Sequence, residues 1–201
     1  CRSRPPPFVM SLNQRIQDQF QAGIHTLADA VDLLSEPVER SAQVLTDSLM
    51  HGGKILTCGC GASALTAQYV ASILTDRLER ERPGLAAVSL SGGYVSCRPA
   101  ESIDAAFSRQ VSVLGHPGDV LLAISTFGQS HAIVEAVRAA QEREMIVIAL
   151  AGGDGGVLAE ILREEDVFIC APADSPARIH ETLLLAIHCL CDGIDYLLLG
   201  S

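Results

Sequence analysis

The sequence is short of positive charge: 14 lysines and arginines face 24 aspartates and glutamates, for a formal net charge of -10. Aromatic residues make up 4%, tryptophan is absent, and no basic run is interleaved with the few tyrosines and phenylalanines. Such a chain repels a phosphate backbone, which excludes direct nucleic-acid binding. A small anion is still admissible, because a few converging N–H groups outweigh a distant global charge. The 7 cysteines include no CxxC pair and no zinc-ribbon spacing. Cys58 and Cys60, like Cys189 and Cys191, are two apart, and both pairs are expected to be small buried hydrophobes in a reducing, cytoplasmic interior.

A membrane span is also excluded. The apolar stretch 183–199 is interrupted by His188, Asp192, Gly193 and Asp195, so it reads as a helix buried between subunits. The glycine loop 152–156 lacks GxGxxG spacing, and no acidic residue follows a next strand in the dinucleotide-binding manner. That excludes a Rossmann cofactor and leaves a flexible turn. Residues 1–9 (Cys1-Arg-Ser-Arg-Pro-Pro-Pro-Phe-Val9) look like neither a signal peptide nor a helix. Met10 is the expected start, and residues 1–9 are set aside as an extension expected to be disordered.

What is present is apolar: 48% of 201 residues are hydrophobic, enough for one packed domain with a helical arm. Ile16, Phe20, Ile24, Leu27 and Val31 recur at helical spacing across 11–34. Ser35-Glu36-Pro37 is expected to end that helix and begin a second, running to Met50 and His51-Gly52-Gly53. These helices, within 10–52, precede any strand and call for a covering surface such as a partner subunit, so oligomerisation is their expected role. From 53 to 201 strands (55–58, 85–90, 120–124, 145–150, 167–170) alternate with helices (63–78, 102–114, 130–142, a short one to 162, 176–198). Alternation of this kind gives right-handed crossovers and an α/β three-layer sandwich around a parallel sheet of about five strands.

Two strand ends carry unusual chemistry. The run Asp119-Val-Leu-Leu-Ala-Ile-Ser-Thr-Phe-Gly-Gln-Ser130 is a buried strand that breaks into hydroxyls where a helix begins. Lys54-Ile-Leu-Thr-Cys-Gly-Cys-Gly-Ala-Ser63 ends in glycines and a serine in the same way. At each, free backbone N–H groups and the positive end of a helix dipole converge. Ser130 and Gly128 could serve only as cap and turn, but two such turns on neighbouring parallel strands would face one ligand crevice.

Taken together, Gly59-Cys-Gly-Ala-Ser63, Gly118 to Ser130, Ala149-Leu-Ala-Gly-Gly-Asp-Gly-Gly156 and Ala177-Arg-Ile-His-Glu181 resemble sugar isomerase (SIS) domains of the phosphoheptose isomerase group, over nearly everything from Met10 onward. The chain also resembles the group's non-catalytic branch, which associates with the bacterial replication initiator (DiaA type). The resemblance implies a homotetramer with sites between subunits and a sugar phosphate held by Ser63, Ser125, Thr126 and Ser130 on turns shaped by Gly61 and Gly128. Phe127 stands where the isomerases have a serine, one phosphate donor fewer.

In the isomerases the resemblance implies a carboxylate base on the first sandwich helix, a histidine on the last and zinc nearby, moving a proton between C1 and C2 of a heptose phosphate. Here the carboxylate position is Ile73, which neither accepts a proton nor binds a metal. Tyr69 stands at a ligand histidine, Ala177 and His180 at an aspartate and a glutamine, and Cys60 at an asparagine. The segment after Ser91 reads Ser91-Gly-Gly and Ala100-Glu101 in place of an aspartate and an Asn-Asp pair. Only His188 keeps its catalytic position, and a lone histidine on an apolar helix is usually a satisfied core group. His180 and His188 are the remaining metal candidates, but about 12 Å of helix separates them, too far for one ion within a chain.

The expectation is therefore a catalytically impaired SIS homotetramer in the cytoplasm, without a firmly bound cofactor. It would bind a sugar phosphate and act as a regulatory partner of the replication initiator, touching neither nucleic acid nor membrane. The alternative is a phosphoheptose isomerase converting sedoheptulose 7-phosphate to D-glycero-D-manno-heptose 7-phosphate, with zinc and with His180, His188 or Glu181 as base. A sugar-phosphate sensor that leaves its ligand unchanged is a third reading.

Overall fold

The computed structural model describes residues 10–92 and 103–200. The expectations for residues 1–9, for Gly93, for Ala100-Glu101 and for a helix start at Ser102 fall outside the described residues. Five strands, β1 (Ile55–Gly59), β2 (Ala87–Ser89), β3 (Val120–Ile124), β4 (Ile146–Gly152) and β5 (Val167–Ala171), form one parallel sheet in the order β2-β1-β3-β4-β5. The helices are α1 (Leu12–Met50), α2 (Ala62–Thr75), α3 (Ala106–Leu114), α4 (His131–Glu142), α5 (Gly156–Ile161) and α6 (Pro176–Leu199).

Alternating strand residues point to opposite faces, and both faces are covered. Val120, Leu122 and Ile124 of β3 with Ile148 and Leu150 of β4 join α1, α2 and α6 in one core. Leu121, Ala123, Val147 and Ala149 join Phe107 and Val111 of α3 and Ile133 and Val137 of α4 in the other. This is the three-layer α/β sandwich read from the sequence, and it explains why the strands are continuous apolar runs.

The expected pair of N-terminal helices is one helix, with Pro37 inside it. Proline removes a backbone donor and crowds the preceding turn, at a cost of about 3 kcal/mol in a helix interior. The apolar stripe outweighs this, because Ala30, Leu34, Val38, Ala42 and Leu45 continue across the proline in register and are all buried. Toward the start of α1 the same stripe, Leu12, Ile16, Phe20 and Ile24, is exposed. The helix α6 is long and apolar enough to cross a membrane by length and composition. Its inner face (Ile179, Leu183, Ile187, Leu190, Ile194) is instead buried in its own chain's core with α1 and the sheet.

Two buried aspartates set the strands at the edge opposite the turns. Asp119, just before β3, accepts from the Lys54 N–H at 2.8 Å, the Lys54 Nζ at 2.5 Å and the His116 N–H at 2.8 Å, tying β1 to β3. Asp166, just before β5, accepts from the Val147 and Arg163 N–H groups at 2.8 and 2.9 Å. Burial by itself would raise the Asp119 carboxyl, but the Lys54 side chain and the two N–H groups hold it below its ordinary value. A carboxyl lowered in the folded state stabilises at neutral pH and loses that contribution as pH falls below about 4. Asp119→Asn is expected to cost about 1–3 kcal/mol near neutrality. Urea titrations should show the gap from the parent chain closing as pH drops below about 4; a gap constant with pH would refute the ionic role.

Candidate functional site

In this strand order β1 and β3 are neighbours whose crossovers depart in opposite directions, so a crevice opens at their carboxyl ends. Both hydroxyl-bearing turns lie there. After β1, a Cβ on Gly59 would come within 2.3 Å of the Ser63 carbonyl oxygen, so glycine lets the turn fold against the start of α2. Ser63 is buried beneath it. After β3, the Gly128 N–H donates to the Ser125 carbonyl at 3.0 Å, and Gly128 has φ +66°. A Cβ there would sit 1.7 Å from the Gly155 carbonyl oxygen.

That contact changes the reading of the glycine loop as a merely flexible turn. Gly152 N–H donates to Thr126 O at 3.0 Å, Leu158 N–H to Gly128 O at 3.1 Å and Gly153 N–H to Ala173 O at 2.9 Å. The loop is thus a wall hydrogen-bonded to the β3 turn. Phe127 stands 42% exposed at the rim beside Gly153. Ser125 is buried and Ser130 half-buried, and Ser130 makes no capping bond although it occupies the N-cap of α4. Gly61, at the N-cap of α2 with φ +59°, has no side chain to cap with. Neither N-cap residue therefore supplies a side-chain acceptor to the first N–H groups of its helix.

Across the crevice, Thr126 Oγ1 lies 3.4 Å from Ser63 Oγ and 3.2 Å from His180 Nε2. Deeper along the same two helices the Tyr69 hydroxyl lies 2.9 Å from His188 Nε2, with the rings edge-to-face at 5.8 Å. The two contacts are six residues apart on α2 and eight on α6, so both helices run away from the crevice side by side. His188 also lines an open cavity of about 600 Å³ with Glu79, Arg80 and Asp192. The histidines thus answer to different partners. Nothing local in the sequence announces either pairing, since each joins residues more than 50 positions apart.

Ile73, one turn beyond Tyr69, is 7% exposed within the apolar core. Glu181 is paired with Arg178 at 2.5 Å, and Arg178 donates to the Gln19 carbonyl of α1. The Glu181 carboxylate is therefore held by Arg178 of its own helix, which in turn reaches α1. Among the described residues no group of three or more His, Cys, Asp or Glu is placed to hold a metal, and the phenol of Tyr69 and the hydrocarbon of Ile73 are no substitute. The residues present do not fit a zinc site. The cysteine expectation needs correcting: Cys58 and Cys191 are buried, but Cys60 and Cys189 are exposed. Residues two apart share a face only within a strand; Cys60 lies past β1, and on α6 the pair splits between faces. Burial pushes the Cys58 thiol up, with Cys60 adding to it. Burial likewise pushes Cys191 up to about 12, against a lowering by Arg82 and with a further rise from Asp195.

Residues 19–152 match the SIS domain family. Over 194 residues the chain is 52% identical to a phosphoheptose isomerase of Thiobacillus denitrificans, covering 95% of this chain and 98% of that one. The chain belongs to the phosphoheptose isomerase family of SIS domains. Its fold superposes on a phosphoheptose isomerase from Neisseria gonorrhoeae with TM-score 0.85 and 41% identity, covering 92% of this chain and 99% of that one. A phosphoheptose isomerase from Francisella tularensis gives 0.87 and 36% over the same shares. These matches overturn the expectation of a non-catalytic, initiator-associating protein and of the replication initiator as partner. Similarity that runs nearly end to end outweighs the missing carboxylate at Ile73.

The crevice makes a reactivity difference in this SIS domain measurable. Iodoacetamide is expected to modify Cys60 in the native chain and to reach Cys58 only after unfolding. Saturating sugar phosphate should slow modification at Cys60, read by peptide mass spectrometry. Unchanged Cys60 kinetics with every sugar phosphate tried would argue against ligand occupancy of the first turn.

Proposed function

We propose that the chain is a phosphoheptose isomerase that converts sedoheptulose 7-phosphate to D-glycero-D-manno-heptose 7-phosphate in the cytoplasm. The observation that carries this is the near full-length, 52% identical match to a phosphoheptose isomerase. The geometry supports it. The hydroxyls of Ser63, Ser125, Thr126 and Ser130, with the open N–H groups at the starts of α2 and α4, suit a phosphate dianion. His188 suits the other end of the substrate. Six residues from Ser63 to Tyr69 span about 9 Å of helix, close to the roughly 10 Å of an open-chain heptose phosphate built from ordinary covalent bonds.

In this reading the Tyr69 hydroxyl fixes His188 through Nε2, leaving Nδ1 for the substrate. The imidazole takes a proton from C1 of the ketose as the C2 oxygen gains one, giving an enediol. Return of the proton to C2, with loss of the proton on the C1 oxygen, yields the aldose. His180, held by Thr126, is placed to donate to a substrate oxygen near the phosphate end of the crevice.

Turnover of sedoheptulose 7-phosphate by the purified chain tests the assignment directly. His188→Ala is expected to lower kcat by about 100-fold to 10,000-fold, whereas Thr126→Val should act mainly on KM. A series from ribulose 5-phosphate through fructose 6-phosphate to sedoheptulose 7-phosphate should show kcat/KM rising with chain length. No turnover of the seven-carbon substrate under any condition would sink the proposal, and equal rates across the series would sink the length argument.

A further inference from the structure

We infer that this chain is a zinc-free member of its family, in which the Tyr69–His188 hydrogen bond and the Ile73 side chain occupy the place that the family resemblance gives to a metal. The inference rests on the isomerase reading for its meaning, but its test does not depend on turnover. Donor chemistry is the first argument. Ile73 has no lone pair, and the nitrogen of His188 that faces α2 is already engaged by the Tyr69 hydroxyl at 2.9 Å. A metal bound by that nitrogen would have to displace the phenol and would find a hydrocarbon one turn further along α2.

Reach is the second argument. Zinc holds imidazole nitrogens at about 2.0–2.1 Å, so two of them must lie within roughly 4 Å of each other. His180 sits eight residues from His188, about 12 Å along a straight helix, and its Nε2 is at Thr126. The nearest buried carboxylate on α6, Asp195, is taken by Arg82 at 2.5 Å with both side chains almost fully buried. Burial is the third. Ile73 is 7% exposed inside an apolar core, where an incompletely ligated divalent ion would bear a large desolvation cost. Polarisation of the substrate carbonyl then falls to a hydrogen-bond donor of the protein itself, the Tyr69 hydroxyl beside His188.

The test is a metal count. The full chain is dialysed against zinc chloride, freed of excess ion and analysed by inductively coupled plasma mass spectrometry, and sedoheptulose 7-phosphate turnover is measured before and after EDTA. Zinc well below one per chain and EDTA-insensitive turnover are expected. About one zinc per chain that is lost in His188→Ala would overturn the inference, whether or not the chain turns substrate over. The double variant Tyr69→His/Ile73→Glu, checked for folding by circular dichroism, is expected to gain about one zinc per chain. A folded double variant that gains none would also overturn it, because these two side chains would then not be what keeps the metal out. Should the double variant not fold, the metal count on the parent chain and on His188→Ala decides alone. Absence of turnover together with absence of zinc would remove the isomerase assignment and leave the metal-free site standing.

Discussion

The site depends on a buried ion pair remote from the crevice. Arg82 Nε donates to Asp195 Oδ1 at 2.5 Å, with the side chains only 1% and 3% exposed. The other guanidinium N–H groups go to the carbonyls of Ile73, Leu74, Asp76 and Pro83 at 2.9–3.2 Å. A helix C-terminus leaves its last carbonyls without partners, and Arg82 satisfies those of Ile73 and Leu74 in α2 while holding α6 by a carboxylate. A pair like this adds little net stability relative to a well-packed apolar substitute, yet losing one partner costs about 3–5 kcal/mol because it strands a buried charge. Its effect is positional. It fixes α2 against α6, and the Tyr69–His188 contact lies between those same two helices.

The other fixed quantity is the topology. A parallel sheet whose order reverses between β1 and β3 must open a crevice at that point, and the sequence spends its glycines there. Gly59 lets the β1 turn close on Ser63, and Gly128 lets the β3 turn lie against Gly155. At the far edge, Asp119 and Asp166 bind the N–H groups at the strand starts, so register is set at one edge and chemistry is placed at the other.

Much of this could be read from the residues alone, where the signal was local. The apolar runs of β3 and β4, the helix of 131–142 and the glycine and serine turns each carry their meaning within about ten residues, as backbone propensity and periodicity do. Pro37 misled because a local breaker was outweighed by burial along α1, which no short window contains. Asp195 looked like an interruption in an apolar stretch; its partner lies 113 positions earlier. The same distance problem hid Tyr69–His188 and Thr126–His180. The functional reading failed for a different reason: one missing carboxylate at Ile73 was taken as loss of the reaction. A fold tolerates substitution at a catalytic position without structural consequence, so that substitution by itself cannot distinguish lost chemistry from chemistry carried by other groups.

The composition then constrains how such a site handles an anion. With a net charge of -10 and hydroxyls and an imidazole meeting at the two turns, no general attraction draws a phosphate in. Recognition in the proposed reading falls to dipoles: N–H groups at the starts of α2 and α4, aimed by glycine turns that cannot accept a Cβ. Dipoles at fixed positions act at short range and reward fit, whereas a cationic cluster would attract any anion from afar. In that proposed reading an acidic chain whose crevice offers hydroxyl and N–H donors would discriminate by the shape and length of the ligand rather than by its charge.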